Sequence, residues 1–219
     1  IPLPQRPLMV AHTNGLELLA QDHSDKFIKI RSPYGRSRLL TNFLQPIISK
    51  WDYWAFTKVD AFVSICKEDL NYIISHKLLN QDRCAVVEVG IDSCFLAADW
   101  SRTKKNWIIH LGLWCSRKDP ETTVKVVSKL LKNNPSLEFH VLGGSSLKET
   151  ILGCFDSSLR EQIHVYARLS VTDMVDVISQ AKVLLLPSLY EGFGMATTEA
   201  MACGCVVVAT PTGFAAEMH

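Results

Sequence analysis

The stretch from Val183 to Thr210 constrains this chain more than any other. It opens on a continuous apolar run, Val183 to Leu186, the composition of a parallel strand buried on both faces. Tyr190 to Gly194 reads as a glycine-bearing turn, and Met195 to Cys203 is rich in helix formers. Gly204 stands where a helix C-terminal glycine belongs, and Cys205 to Ala209 is a second apolar strand. The pattern predicts a βαβ unit. Ligands of such units gather beyond the C-terminal ends of the strands, where the next helix begins.

Glu191 and Glu199 fall in that region, with seven residues between them. The free N–H groups of the helix's first turn, near Phe193 to Ala196, offer an anion site. Two carboxylates around an anion site suit a ligand that carries both phosphate and many hydroxyls. Carboxylates accept hydrogen bonds from sugar hydroxyls, and the helix end takes phosphate. A nucleotide sugar has that mixture.

The run E-G-F-G-M-x-x-x-E-A-M-A-C-G (191–204) is preceded by an apolar strand with Pro187-Ser188. It is followed by V-V-A-T-x-x-G-x-x-x-E (207–217). Together these resemble the E-x7-E signature of retaining GT-B glycosyltransferases of the family 4 group. The resemblance implies an α/β chain with two Rossmann-like domains, their parallel sheets facing a cleft. It implies transfer of a hexosyl group from a nucleotide diphosphate sugar to an acceptor hydroxyl, with retention and without metal. It also implies an acceptor domain closing near residue 100 (1–100 with the linker) and a donor domain from 101 to 219. Val87 to Phe95 resembles the segment that closes the acceptor domain, with Glu88-Val89 in place of Pro-Asn and Phe95 one position early.

Site residues follow from the same resemblance. Lys118 matches the lysine that holds the donor diphosphate after the glycine-ended strand Trp107–Gly112. Leu113 stands where arginine is common, with Arg117 able to compensate. Glu199 is expected on the ribose hydroxyls, and Glu191 on the 3- and 4-hydroxyls of the donor sugar. Phe193, Gly194 and Met195 are expected to give backbone N–H groups, and Thr197 and Thr198 hydroxyls near phosphate. Arg168 and Leu169 match the position that meets the base. His12, ending the first strand, matches a histidine facing the donor sugar, and so joins Glu191 and Lys118 as a catalytic candidate. Glu191 as a covalent nucleophile is the competing picture. Gly213 and Glu217 match the G-G-x-x-E that follows the signature, with Phe214 replacing the second glycine.

Composition bounds the rest. The chain has 219 residues, 47% hydrophobic and 21% charged with net charge +1, an ordinary globular balance that gives no support for a nucleic-acid surface. No run is long enough to span a membrane. Seven cysteines, mostly inside apolar runs, read as buried reduced thiols of a cytoplasmic protein, and no metal site or cofactor is expected. The expected partners are a nucleotide-sugar donor and an acceptor sugar, lipid or glycan, with peripheral membrane contact open for the full-length protein. The chain reads as an internal fragment, lacking the early acceptor domain and the final helices of the donor domain.

In chain order, strands are predicted at 8–12, 61–65, 85–89, 107–112, 137–142 and 163–166. Helices are predicted at 36–55 with a kink at Pro46, at 67–78, from Asp119-Pro120 to Asn133, in part of 147–159, and from Ser170. Alternatives are another GT-B chemistry (a sugar phosphorylase or a nucleotide-sugar epimerase), a non-catalytic nucleotide-sugar binding module, or a dinucleotide oxidoreductase. The last is disfavoured because no G-x-G-x-x-G follows a strand.

Overall fold

A computed structural model describes residues 7–15, 50–51, 53–100, 103–143, 148–166 and 168–218. Most of the helix predicted at 36–55 lies outside these residues; 50–51 and 53–56 are helical.

Two parallel sheets are built. The first pairs β1 (Val10–His12), β2 (Ala61–Ser64) and β3 (Cys84–Val86) in chain order. Helix α1 (Lys67–Ser75) follows β2 and packs on β2 and β3. Strand β3 is shorter than predicted: it ends at Val86, with the Val87 N–H still bonded to Ser64 O at 2.8 Å.

The second sheet holds β4 (Lys105–Leu111), β5 (Glu138–Leu142), β6 (Ile163–Tyr166), β7 (Ala181–Leu186) and β8 (Val206–Ala209), in the order β6-β5-β4-β7-β8. The chain winds outward from β4 through β5 to β6, then returns to the other side of β4 with β7 and β8. This doubly wound order reverses direction between β4 and β7. A crevice opens at that point, beyond the strands' C-terminal ends.

Helices cover both faces of β4, β5 and β7, which explains their unalternating apolar runs, while edge strand β8 leaves Val206 and Val208 exposed. On one face, Ile108, Phe139, Val141, Ile163 and Leu185 pack with Val127 and Leu131 of α3 (Pro120–Asn133) and Ile151 of α4 (Lys148–Gly153). On the other, Ile109, Leu111, Leu142, Leu184 and Leu186 pack with Ile178 of α5 (Val171–Gln180) and Ala200 of α6 (Met195–Ala202). Phe95 joins that second face from the short helix α2 (Ser93–Leu96), started by Asp92, which accepts from the Cys94 N–H at 2.9 Å. The V-G-I-D…F segment therefore has a mechanical role: Asp92 caps, and Phe95 anchors the connection between the sheets in the second core.

The caps read from sequence are present. Asp119 accepts from Thr122 N–H at 3.1 Å ahead of Pro120, and Ser170 from Asp173 N–H at 3.1 Å. At the end of α6, Gly204 N–H reaches Met201 O and Cys205 N–H reaches Ala200 O, both at 2.9 Å. This Schellman closure needs a left-handed residue, and Gly204 has φ +74°. The cysteines correct the sequence reading in part. All seven are free thiols, but only Cys66, Cys203 and Cys205 are buried, and Cys154 is exposed.

Candidate active site

The crevice at the reversal point is a cleft of about 580 Å³. One wall is the end of β4 and the turn after it: Leu111, Gly112, Leu113, Arg117 and Lys118. A second wall is the loop after β7 and the start of α6: Glu191, Gly192, Phe193, Gly194, Met195, Ala196 and Glu199. Asn14, Ile65 and Val89 face these from the first sheet's side. The cleft thus lies between the two sheets.

Lys118 and Glu191 form its electrostatic centre. Lys118 Nζ donates to Glu191 Oε1 at 2.6 Å, and both side chains are nearly inaccessible. Arg117 donates to Glu191 Oε2 at 3.2 Å and is 41% exposed. Its own carbonyl accepts from Leu189 N–H at 2.9 Å, which ties the β4 turn to the β7 loop. Two cations share one carboxylate, so the cluster carries one net positive charge beside the cleft.

Helix α6 adds its N-terminus. Gly194 is the N-cap and has no side chain to cap the first turn, in which the Thr197 N–H turns back onto the Gly194 carbonyl at 2.8 Å. Gly194, Met195 and Ala196 line the cleft at this helix start, where backbone N–H groups and the positive end of the helix dipole favour an anion. Glu199 lies one turn further on, half-buried. Burial pushes its carboxyl above the ordinary range, while the nearby Lys118 charge pulls the other way. Cations, uncapped N–H groups and two carboxylates converge on one volume, which can hold a phosphorylated polyol.

The loop is also fixed from the first sheet's side. Tyr190 is buried among Phe62, Tyr72 and Ile73, and its hydroxyl donates to buried Asp69 at 3.3 Å. Gly192 lies against the Asn14 carbonyl so closely that a Cβ would sit 2.2 Å from that oxygen. Phe193 packs with Ile65, Cys66 and Phe214, and its carbonyl accepts from Phe214 N–H at 2.8 Å. Glu217 accepts from Lys67 N–H at 3.1 Å and pairs with Lys67 Nζ at 2.5 Å, while Glu68 accepts from Gly213 N–H at 3.0 Å. Glu217 thus accepts from the first N–H of α1.

Of the residues singled out in the sequence, the cleft brings together Gly112, Arg117, Lys118, Glu191, Phe193, Gly194, Met195 and Glu199. His12 is exposed at the end of β1 and does not line the cleft, whereas Asn14 does. The Thr198 hydroxyl is turned back onto Met195 O at 2.9 Å. Arg168 is exposed beyond β6, and Leu169 packs on the second sheet's core. His110 drew no attention in the sequence, yet it is fully buried on β4 against Trp114. Burial, reinforced by Lys118, lowers its pKa to about 4.

Two parallel Rossmann-like sheets facing a cleft define a GT-B architecture, the class of glycosyltransferase scaffolds. Residues 97–219, more than half of the chain, match the family Glycosyl transferases group 1, and the chain belongs to that family. It is 28% identical over 155 residues to D-inositol 3-phosphate glycosyltransferase of Paenarthrobacter aurescens (strain TC1), covering 64% of this chain and 38% of the relative. It is 24% identical over 135 residues to GDP-mannose:cellobiosyl-diphosphopolyprenol alpha-mannosyltransferase of Xanthomonas campestris, covering 60% and 36%. The chain spans only about a quarter to two-fifths of the length of such relatives. Among solved structures, WaaG, a glycosyltransferase involved in lipopolysaccharide biosynthesis, superposes with TM-score 0.65 at 15% identity, over 96% of this chain and 58% of that one. The pneumococcal O-GlcNAc transferase GtfA in complex with UDP and GlcNAc gives TM-score 0.60 at 22% identity, over 76% and 33%. These likenesses establish a shared fold.

Proposed function

We propose that the chain is part of a retaining glycosyltransferase that moves a hexosyl group from a nucleotide diphosphate sugar to an acceptor hydroxyl. The observation that carries this reading is the convergence of Lys118, Arg117 and the uncapped start of α6 with Glu191 and Glu199 on one cleft. The names of its relatives, and the UDP and GlcNAc held by the pneumococcal transferase, support the same substrate class.

In this reading Lys118, Arg117 and the N–H groups of Gly194 and Met195 bind the diphosphate. They stabilise the negative charge that develops on it as the glycosidic bond breaks. These fixed donors and cations do the work a metal would otherwise do in the donor site. Glu199 accepts from the ribose hydroxyls. Glu191 is held by the two cations until the donor's phosphates take them over, which frees it for the sugar hydroxyls. In the same reading the base falls to Arg168 and Leu169 and the donor sugar to His12. The leaving phosphate removes the acceptor proton on the same face, which gives retention without a protein nucleophile. Residues 1–100 belong to the acceptor side and 101–219 to the donor side.

Calorimetric titration with UDP, GDP, ADP and NAD in EDTA tests the donor site. Saturable binding of one nucleoside diphosphate, weakened by Glu199→Ala, is expected. Absence of such binding to the full-length chain refutes the reading. Binding of NAD in preference to every diphosphate points to a dinucleotide enzyme instead. A glycosyl adduct trapped on Glu191 refutes the same-face step.

A further inference from the structure

On the α5-covered face of the second sheet, away from the donor cleft, three side chains meet. Glu138 opens β5, and His140 follows two residues later on the same face. His164 of β6 is the register partner of His140. Glu138 Oε2 lies 3.2 Å from His140 Nε2 and 3.0 Å from His164 Nε2. None of the three lines the cleft. Glu138 lies about 13 Å along its strand from the end that faces the cleft.

We infer that Glu138, His140 and His164 form a binding site for one zinc-class divalent cation, which staples edge strand β6 to β5. One ligand atom from each side chain falls within 4.8 Å of the others. Tetrahedral zinc with bonds of about 2.0–2.1 Å separates its ligand atoms by roughly 3.3 Å, close to the spacing seen here. Two imidazoles and one carboxylate are a donor set for this class of ion, and not for magnesium or calcium, which take oxygen ligands.

The surroundings match a ligating role. His140 Nδ1 lies 2.8 Å from Tyr166 Oη, and the Trp107 ring packs over the imidazole at 4.0 Å between centroids. These contacts turn His140 Nε2 toward Glu138 and hold it there, as outer-shell partners of metal-bound histidines do. Among the described residues His164 Nε2 is shielded from solvent and makes no hydrogen bond, although the carboxylate is 3.0 Å away. A cation shared by the three groups satisfies this nitrogen and draws on the same Glu138 oxygen that lies within hydrogen-bond reach of His140 Nε2. Glu138 and His164 are about 40% exposed, which leaves a route of entry and room for water as fourth ligand.

The test uses the chain stripped with EDTA, dialysed, and titrated with Zn²⁺ by calorimetry, with Mg²⁺ as control. One zinc per chain is expected, no magnesium binding at this site, and a rise in melting temperature on adding zinc. Loss of an outer-shell partner costs about 10–100-fold in affinity, so His164→Ala and Glu138→Gln, each losing a direct ligand, should lose at least about 100-fold. Both variants keep all seven cysteines. Unchanged zinc affinity in both variants overturns the inference, as does failure of the wild-type chain to saturate at one ion. Cobalt substitution of the wild-type chain gives a check that needs no variant. A tetrahedral d–d spectrum without a thiolate charge-transfer band supports the site, and a thiolate band assigns the ion to cysteine and overturns it.

Discussion

Glu191→Ala is expected to weaken the free chain while sparing, or strengthening, its grip on a nucleoside diphosphate. Glu191 is 5% exposed and is the carboxylate shared by Lys118 at 2.6 Å and Arg117 at 3.2 Å. Removing it leaves two neighbouring cations, with the Lys118 side chain only 7% exposed. Breaking a buried pair by deleting one partner costs about 3–5 kcal/mol. For a chain of this size each kcal/mol moves the melting temperature by about 2–4 °C, so a drop on the order of 10 °C should appear in thermal unfolding. Lys118→Ala should cost less, because Glu191 keeps Arg117, which reaches solvent. The order reverses for ligand. A diphosphate supplies the missing negative charge, so its stabilisation of Glu191→Ala should equal or exceed that of wild type, while Lys118→Ala binds more weakly. Melting temperatures with and without UDP and GDP, paired with calorimetric affinities, measure both effects. If Glu191→Ala melts within about 2 °C of wild type, or loses diphosphate affinity as Lys118→Ala does, the assignment of cations to phosphate is wrong.

Other outcomes follow from the same geometry. Folding favours the protonated form of Glu199, because burial raises its pKa. Its contribution to stability is therefore present below the unfolded-state pKa and is lost as pH rises through the folded value. Glu199→Gln should raise the melting temperature at neutral pH, yet weaken nucleotide binding and flatten its decline at acid pH, measured by titration across pH. Gly192→Ala would set a Cβ 2.2 Å from the Asn14 carbonyl. The loop must then move away from the first sheet, at a cost of about 1–3 kcal/mol in denaturant melts, and turnover of the full-length enzyme should fall more than diphosphate affinity does. Gly204→Ala forces a side chain into a left-handed cap and should cost about 1–2 kcal/mol. Burial pushes the Cys66, Cys203 and Cys205 thiols up to about 11, so mass-mapped alkylation of the native chain should label exposed Cys154 first and these three only on unfolding.

Local information in the sequence determined the βαβ unit at 183–210, the caps at Asp119 and Ser170, the closing glycine at 204, and the cluster of Lys118 with Glu191 and Glu199 at the strand ends. Each depends on strand period, cap chemistry, or the rule that parallel strands open onto one edge, all of which act over a few residues. The tertiary structure alone decided which distant groups meet. Tyr190 reads as a loop residue, yet it is the plug that reaches Asp69 across 121 residues. Glu217 reads in the sequence only as the last residue of the G-G-x-x-E match, yet it holds Lys67, 150 residues away. His140 and His164 show no ligand spacing along the chain and become neighbours only through the β5–β6 register. Sequence patterns cannot carry such pairings, because register and the meeting of two sheets are set by the packing of the whole chain, not by any segment's own preference.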